Sequence, residues 1–174
     1  MQYDIDNKEN LELILNNVNN DDFLENLVKA VYKEGNSDID PYQCIIDPGC
    51  PKTVAGKKWM DSFSETQDKN VIIRRHKENE NFKFGPSKVC NSKENYEIIV
   101  NIGKIETTMR VSVVEADIPL LLGLAYQEKW GNVMDIEKRE LFIKKSNEVF
   151  KIKSSKSIHW KLPILNHKNL ITET

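Results

Sequence analysis

The period of the apolar positions changes once along this chain. Between residues 9 and 34, Leu11, Ile14, Leu15 and Val18 recur at helical spacing, and so do Leu24, Leu27, Val28 and Val31. Asn19, Asn20, Asp21 and Asp22 separate the two runs and suit a cap for the second, and Gly35 supplies a stop. The pattern predicts a helical hairpin or a pair of short helices, followed by a linker of turn formers from Asn36 to Pro41.

From Tyr42 onward the pattern predicts strands. Gln43–Asp47 reads as a short buried strand. Lys57–Phe63 reads as a helix after Gly56, with Trp59, Met60 and Phe63 turned inward. Val71–Arg75 is apolar and then basic, Lys77–Asn81 reads as a polar turn, and Phe82 and Phe84 alternate into a turn at Gly85-Pro86-Ser87. Tyr96–Ile102 and Lys104–Val114 form a hairpin about Gly103. Ile118–Gly123 is a continuous apolar run, and Leu124–Trp130 is a helix closed by Gly131. Val133–Ile136 and Glu140–Lys144 pair around Glu137-Lys138-Arg139, and Glu148–Lys153 and Ser157–Ile164 supply the last strands. Trp59 and Trp130, at helical positions, read as core. No segment repeats.

Composition narrows the class. The 174 residues give room for one domain and an appendage. Charged residues make up 30% and aromatics 8%, a soluble globular balance. No apolar run approaches the ~20 residues that span a bilayer. The opening Met1-Gln2-Tyr3-Asp4-Ile5-Asp6 lacks the basic start and apolar core of a signal peptide. The expected setting is cytosolic or nuclear, with no membrane partner.

Cys44, Cys50 and Cys90 are odd in number and show no C-x-x-C spacing. They make no disulfide framework, and with His76, His159 and His167 scattered they make no zinc pattern. No metal or other cofactor is expected, and the three histidines read as surface residues. Net charge is −2 but unevenly placed: residues 1–40 carry −7 and the remainder +5. Such asymmetry suggests separate modules. Seven lysines lie between Lys144 and Lys168 against the single acid Glu148, with Phe150 and Trp160 interleaved. No nucleic-acid recognition motif accompanies them, so a solvated lysine face is preferred to a nucleic-acid surface.

The chemistry concentrates in Ile45-Ile46-Asp47-Pro48-Gly49-Cys50-Pro51-Lys52-Thr53-Val54. Two β-branched apolar residues run straight into Asp-x-Gly, a strand that delivers one carboxylate into a tight glycine turn. Asp-Pro-Gly is also a good turn sequence in its own right, with Asp47 as an Asx-turn residue. Cys50 reads either as a redox-sensitive thiol or as a small packing residue.

These residues, taken in order, resemble a family. A strand ending in Asp47-x-Gly49, then Thr53-Val54, a Phe-x-Phe-Gly turn, a hairpin, and Ile118-Pro-Leu-Leu-Leu-Gly123 before a helix resemble the retropepsin-like aspartic proteases. The likeness is in particular to those of invertebrate retrotransposon polyproteins, and it covers roughly residues 42–165. Asp135–Ile143 looks like the strand pair after the family's helix. The resemblance implies a mostly β, closed retropepsin-like barrel with one short helix, preceded here by the N-terminal α-helical segment. The implied division is a helical extension and linker over 1–40, the protease domain over 41–165 and a tail over 166–174. Asp47 matches the catalytic aspartate and Gly49 the turn glycine. Cys50 stands where Ala or Ser is usual, and Thr53 matches the Thr or Ser three residues later. Gly85, with Phe84 and Pro86, falls where a substrate-covering flap should turn.

The implied chemistry needs two carboxylates about 3 Å apart sharing one proton, because like charges that close cannot both ionise. One activates a water and the other donates to the scissile carbonyl. A chain with one such aspartate builds the pair only as a homodimer. The implied function is an aspartic endopeptidase of retroelement origin acting on a polypeptide, its own polyprotein being one candidate. Pro48 departs from the family, which carries Thr or Ser there to brace the two loops across the dimer axis. Proline has neither hydroxyl nor N–H. The alternative is therefore a catalytically weakened dimerisation or peptide-binding module of the same fold. A third reading is an adaptor whose N-terminal helices bind a partner.

Overall fold

The computed structural model describes residues 40–67, 69–86, 88–152 and 159–165. The expected helices over 9–34, most of the linker and the tail from 166 lie outside the described residues. The elements are β1 (Gln43–Ile46), β2 (Val54–Gly56), α1 (Lys57–Thr66), β3 (Ile72–Lys83), β4 (Val89–Ile102), β5 (Ile105–Val114) and β6 (Leu120–Leu122), then α2 (Leu124–Trp130), β7 (Asn132–Asp135), β8 (Glu140–Ile143), β9 (Glu148–Lys151) and β10 (Lys161–Pro163). The described residues are mostly β, as expected, and carry the two helices that the apolar spacing predicts where the family resemblance implies one.

β1 and β6 lie parallel, with Cys44 beside Leu120, Ile45 beside Leu121 and Ile46 beside Leu122. All six are buried. The paired residues of both strands are apolar because both of their faces are covered there, and only Gln43 at the start of β1 is polar and half-buried. Cys44, Ile46, Leu120 and Leu122 enter a large core with Trp59, Tyr96 and Trp130. Ile45 and Leu121 point the other way, into a smaller cluster with Val54, Phe82, Val114 and Ile118. Each fully buried aliphatic side chain of this kind contributes about 1.5–3 kcal/mol.

The main sheet has seven strands in the order β10-β1-β6-β2-β5-β4-β3, and β7-β8-β9 form a separate three-stranded sheet. Among the described residues no closed barrel forms; the main sheet ends in two edges, β10 and β3. No ladder joins β10 to β3, and β3 pairs only with β4, in a long hairpin. β4 pairs with β5 only from Glu94 to Ile102, whereas its pairing with β3 begins at Val89. The hairpin tip therefore projects from the sheet instead of closing it. One bridge, with the Leu165 N–H donating to the Asn101 carbonyl at 2.8 Å, ties the chain beyond β10 to β4.

Lys77–Asn81, expected as a turn, is continuous strand inside β3. Its polar side chains pair across the hairpin. Ser92 Oγ and Asn95 Nδ2 donate to the Glu78 carboxylate at 2.6 and 3.0 Å. Asn91 Nδ2 donates to the side chains of Asn79 and Asn81 at 2.7 and 2.9 Å. A register shift between Lys77 and Glu80 is the only sign of irregularity there.

Both helices form where the apolar spacing put them. Trp59, Met60 and Phe63 are buried on α1, with the Trp59 and Phe63 rings stacked 5.0 Å apart. The Trp59 indole N–H donates to the Asp40 carbonyl at 3.0 Å. α2 stops at Gly131, whose left-handed φ of 66° ends the helix. Among the described residues, no helix is long and apolar enough to cross a membrane.

Candidate active site

Asp47 stands one residue past β1. Its N–H donates to the Leu122 carbonyl at 3.1 Å. The same carbonyl accepts the buried Gln127 Nε2 at 2.9 Å, so β6 and α2 together fix the backbone at Asp47. The chain then turns at once: the Cys50 N–H donates to the Asp47 carbonyl at 3.2 Å, and the Gly49 N–H donates to Asp47 Oδ1 at 3.1 Å. The Asx-turn and active-site readings thus describe the same atoms.

Pro48 occupies the first corner of that turn, exposed, where its fixed φ is favoured. Gly49 lies outside the left-handed region. A Cβ on it would stand 3.3 Å from Asp47 Oδ1, so the glycine serves the close approach of the neighbouring carboxylate.

Thr53 is buried, and its hydroxyl oxygen accepts the Gly123 N–H at 3.0 Å. Gly123 lies so close to the Lys52–Thr53 backbone that a Cβ there would fall 2.6 Å from the Lys52 carbonyl carbon. The Leu124 N–H donates to the Cys50 carbonyl at 2.8 Å. The Asp47–Val54 loop and the Leu122–Leu124 segment are thereby stitched together along their length. Sequence reasoning placed both segments near the site but not the hydroxyl bond between them.

Cys50 Sγ donates to the Lys52 carbonyl at 2.9 Å. Burial, and then the negative charge of Asp47, push its thiol pKa up against that hydrogen bond. The side chain packs against the cluster of Ile45, Val54 and Phe82. This favours the packing reading over a reactive thiolate.

The β3–β4 turn at Phe84-Gly85-Pro86 stands across from this loop. Gly85 has φ of 63°, which a side chain would strain. Phe82 and Phe84 stack with their planes within 6°. Between hairpin and loop lies a cleft of about 450 Å³, lined in part by Asp47, Cys50 and Lys52 on one wall and Phe82, Phe84 and Gly85 on the other. A Lys52–Glu80 ion pair joins the two walls. Gly49 also lines the cleft, whereas Pro48, Thr53 and Pro86 do not. Of the expected residues, Asp47, Gly49, Cys50, Phe84 and Gly85 therefore meet in one place, and Thr53 supports them from behind.

Of the histidines read as surface residues, His76 and His159 lie within the described residues. His76 Nε2 lies 3.2 Å from Glu97 Oε2. His159 is partly buried two residues before β10, where the Trp160 carbonyl next to it accepts the N–H of Ile46, the residue before Asp47, at 2.9 Å. Among the described residues, no group of three or more His, Cys, Asp or Glu side chains is placed to hold a metal ion.

No protein-family model matches the chain, and no curated protein matches it in sequence. Among solved structures, the chain is similar to the crystal structure of the retroviral protease-like domain of Ddi1 from Leishmania major. The TM-score is 0.41 and the identity 14%, over 74% of this chain and 87% of that one.

Proposed function

We propose that this protein is an aspartic endopeptidase of the retropepsin type whose active site is completed by a second copy of the chain. The observation that carries the reading is the position of Asp47: a carboxylate pinned by backbone bonds to β6, opening onto a cleft that the β3–β4 hairpin covers. One chain offers one such carboxylate. Two copies related by a two-fold axis through the Asp47 turns would bring two together, sharing a single proton.

In the reaction, the ionised carboxylate takes a proton from water as the water oxygen adds to the scissile carbonyl carbon. The protonated carboxyl donates to the carbonyl oxygen as negative charge develops there. Collapse breaks the C–N bond, and the amine leaves with a proton from the dyad. Phe82 and Phe84 supply apolar surface for a peptide lying in the cleft, and the Lys52–Glu80 pair marks its polar side. The retroelement origin and a polyprotein substrate belong to the same proposal and rest on the order of sequence motifs alone.

The test is cleavage of a generic peptide library at acid pH by the wild type and by Asp47→Asn, with a pepstatin-type inhibitor as control. Cleavage that the substitution and the inhibitor both abolish supports the reading; an inactive wild type, or activity kept in the variant, overturns it. Pro48 favours a second reading, a peptide-binding or dimerisation module that uses the same cleft without turnover, because the loop lacks a hydroxyl to brace its counterpart.

A further inference from the structure

The tip of the β3–β4 hairpin stands clear of the main sheet. β4 pairs with β5 only from Glu94 onward, so the pairs from Glu80–Ser92 to Lys83–Val89 have no third strand beside them. The register shift between Lys77 and Glu80 falls at that point of departure, and such a shift bends the strand that carries it. Two contacts then hold the tip against the Asp47 loop. One is apolar: Phe82 belongs to the small buried cluster of Ile45, Val54 and Leu121, and Phe84 and Cys90 from the hairpin and Cys50 from the loop pack against it. The other is the Lys52–Glu80 ion pair across the cleft, whose side chains are 53% and 39% exposed and so open to screening by salt. The two contacts differ in what a peptide in the cleft could replace. Apolar attraction is non-directional, so an apolar side chain can take over the surface that Phe82 and Phe84 give up. It cannot take over the ion pair, which has to break before the tip rises.

We infer that Lys52 and Glu80 form a salt-labile latch, which holds the hairpin tip over the Asp47 loop and must open before a peptide enters the cleft. The latch acts within one chain. It goes beyond the peptidase reading, because a peptide-binding module using the same cleft would have to open it too. An exposed ion pair contributes less than a buried phenylalanine. The latch therefore sets what fraction of chains stand open at a given ionic strength, while Phe82 keeps the closed form the major one.

The test uses the full chain and has two arms. The first measures alkylation of Cys50 and Cys90 by iodoacetamide at low ionic strength, followed by peptide mapping. The two half-buried thiols lie on opposite walls, so lifting the tip exposes both together. Buried Cys44 reports global unfolding and should stay unlabelled. Wild type, Lys52→Gln, Glu80→Gln and the double variant make a cycle in which the direct effect of each lost charge on a thiol cancels. The pair can be broken only once, so the double variant should be labelled about 1.5- to 5-fold more slowly than the product of the two single effects, the range of exposed ion pairs. The shortfall should appear at both thiols and vanish in about 1 M salt. A double variant equal to that product, a shortfall at one thiol alone, or one that persists in high salt overturns the latch whether or not the protein cleaves peptides. The second arm follows association of a pepstatin-type inhibitor, which should be faster with Glu80→Gln than with wild type at low salt and equal at high salt. Equal rates at low salt refute the gating of entry. If the labelling shortfall is present but the inhibitor binds neither protein, the latch stands and the peptidase reading fails.

Discussion

Thr53 Oγ1 accepts the Gly123 N–H at 3.0 Å, joining two segments that lie 70 residues apart in sequence. The bond is buried and holds the Asp47 loop against the start of α2. In Thr53→Val the shape stays and the Gly123 N–H loses its partner. Unfolding stability should fall by about 1–3 kcal/mol, the desolvation penalty of an unsatisfied buried donor. Thr53→Ser, which keeps the hydroxyl, should lose much less. Urea unfolding of the three proteins gives the comparison, and equal loss in both variants would mean that the methyl group, not the bond, supplies the stability.

What the sequence made legible follows from how local each signal is. Asp47, Gly49, Cys50 and Thr53 lie within one run of residues, so their turn could be read directly. α1 and α2 announced themselves by Trp59-Met60-Phe63 spacing and by Gly131. Lys77–Asn81 was misleading because an edge strand whose polar side chains pair across a hairpin has the composition of a turn. Sheet closure depends on which distant strands pair, which apolar period does not encode. Leu162 lies beside Cys44, in the strand that leads to Asp47, only because β10 returns to β1 from the far end of the domain. Its neighbours in sequence carry no trace of that pairing.

Cys50 should behave as a protected thiol. Burial and the Asp47 charge both raise its pKa, so little thiolate forms at neutral pH. Iodoacetamide at pH 7.5, followed by peptide mapping, should modify Cys50 more slowly than a model peptide thiol. Asp47→Asn should speed that modification by removing one of the two causes. Fully buried Cys44, whose pKa is pushed up to about 12, should resist in both proteins. Faster labelling of Cys50 than of the model thiol would contradict the packing assignment.

Glu78 should make the β3–β4 hairpin sensitive to acid. Burial raises its carboxyl pKa, but hydrogen bonds from Ser92, Ser112 and Asn95 together outweigh that and leave it below the ordinary value. A carboxyl lowered on folding adds stability above its unfolded pKa and loses it as pH falls through the folded value. The wild type should therefore exceed Glu78→Gln in Tm at pH 7, with the gap closing as pH drops below the usual carboxylate range. A gap that is constant with pH would assign the effect to packing instead.

Pro48→Thr places a hydroxyl on the exposed corner of the Asp47 turn. If that hydroxyl braces the second copy's loop, two new bonds at about 0.5–1.5 kcal/mol each should tighten the proposed dimer measurably in sedimentation equilibrium. Turnover rising with dimer affinity would mean that the wild-type site is under-braced. A tighter dimer without gain in turnover would favour the binding-module reading. A weaker dimer would mean that the fixed φ of proline shapes the loop.

The central claim, that catalysis needs Asp47 from two copies at once, is tested most directly by mixing. Wild type and Asp47→Asn are combined at constant total concentration, high enough that nearly all chains pair, and peptide cleavage is followed as the wild-type fraction falls. If only pairs with two aspartates act, activity should follow the square of that fraction, so an equal mixture keeps about one quarter. Activity that falls in simple proportion, keeping half in the equal mixture, would place a complete site within each chain and contradict the account.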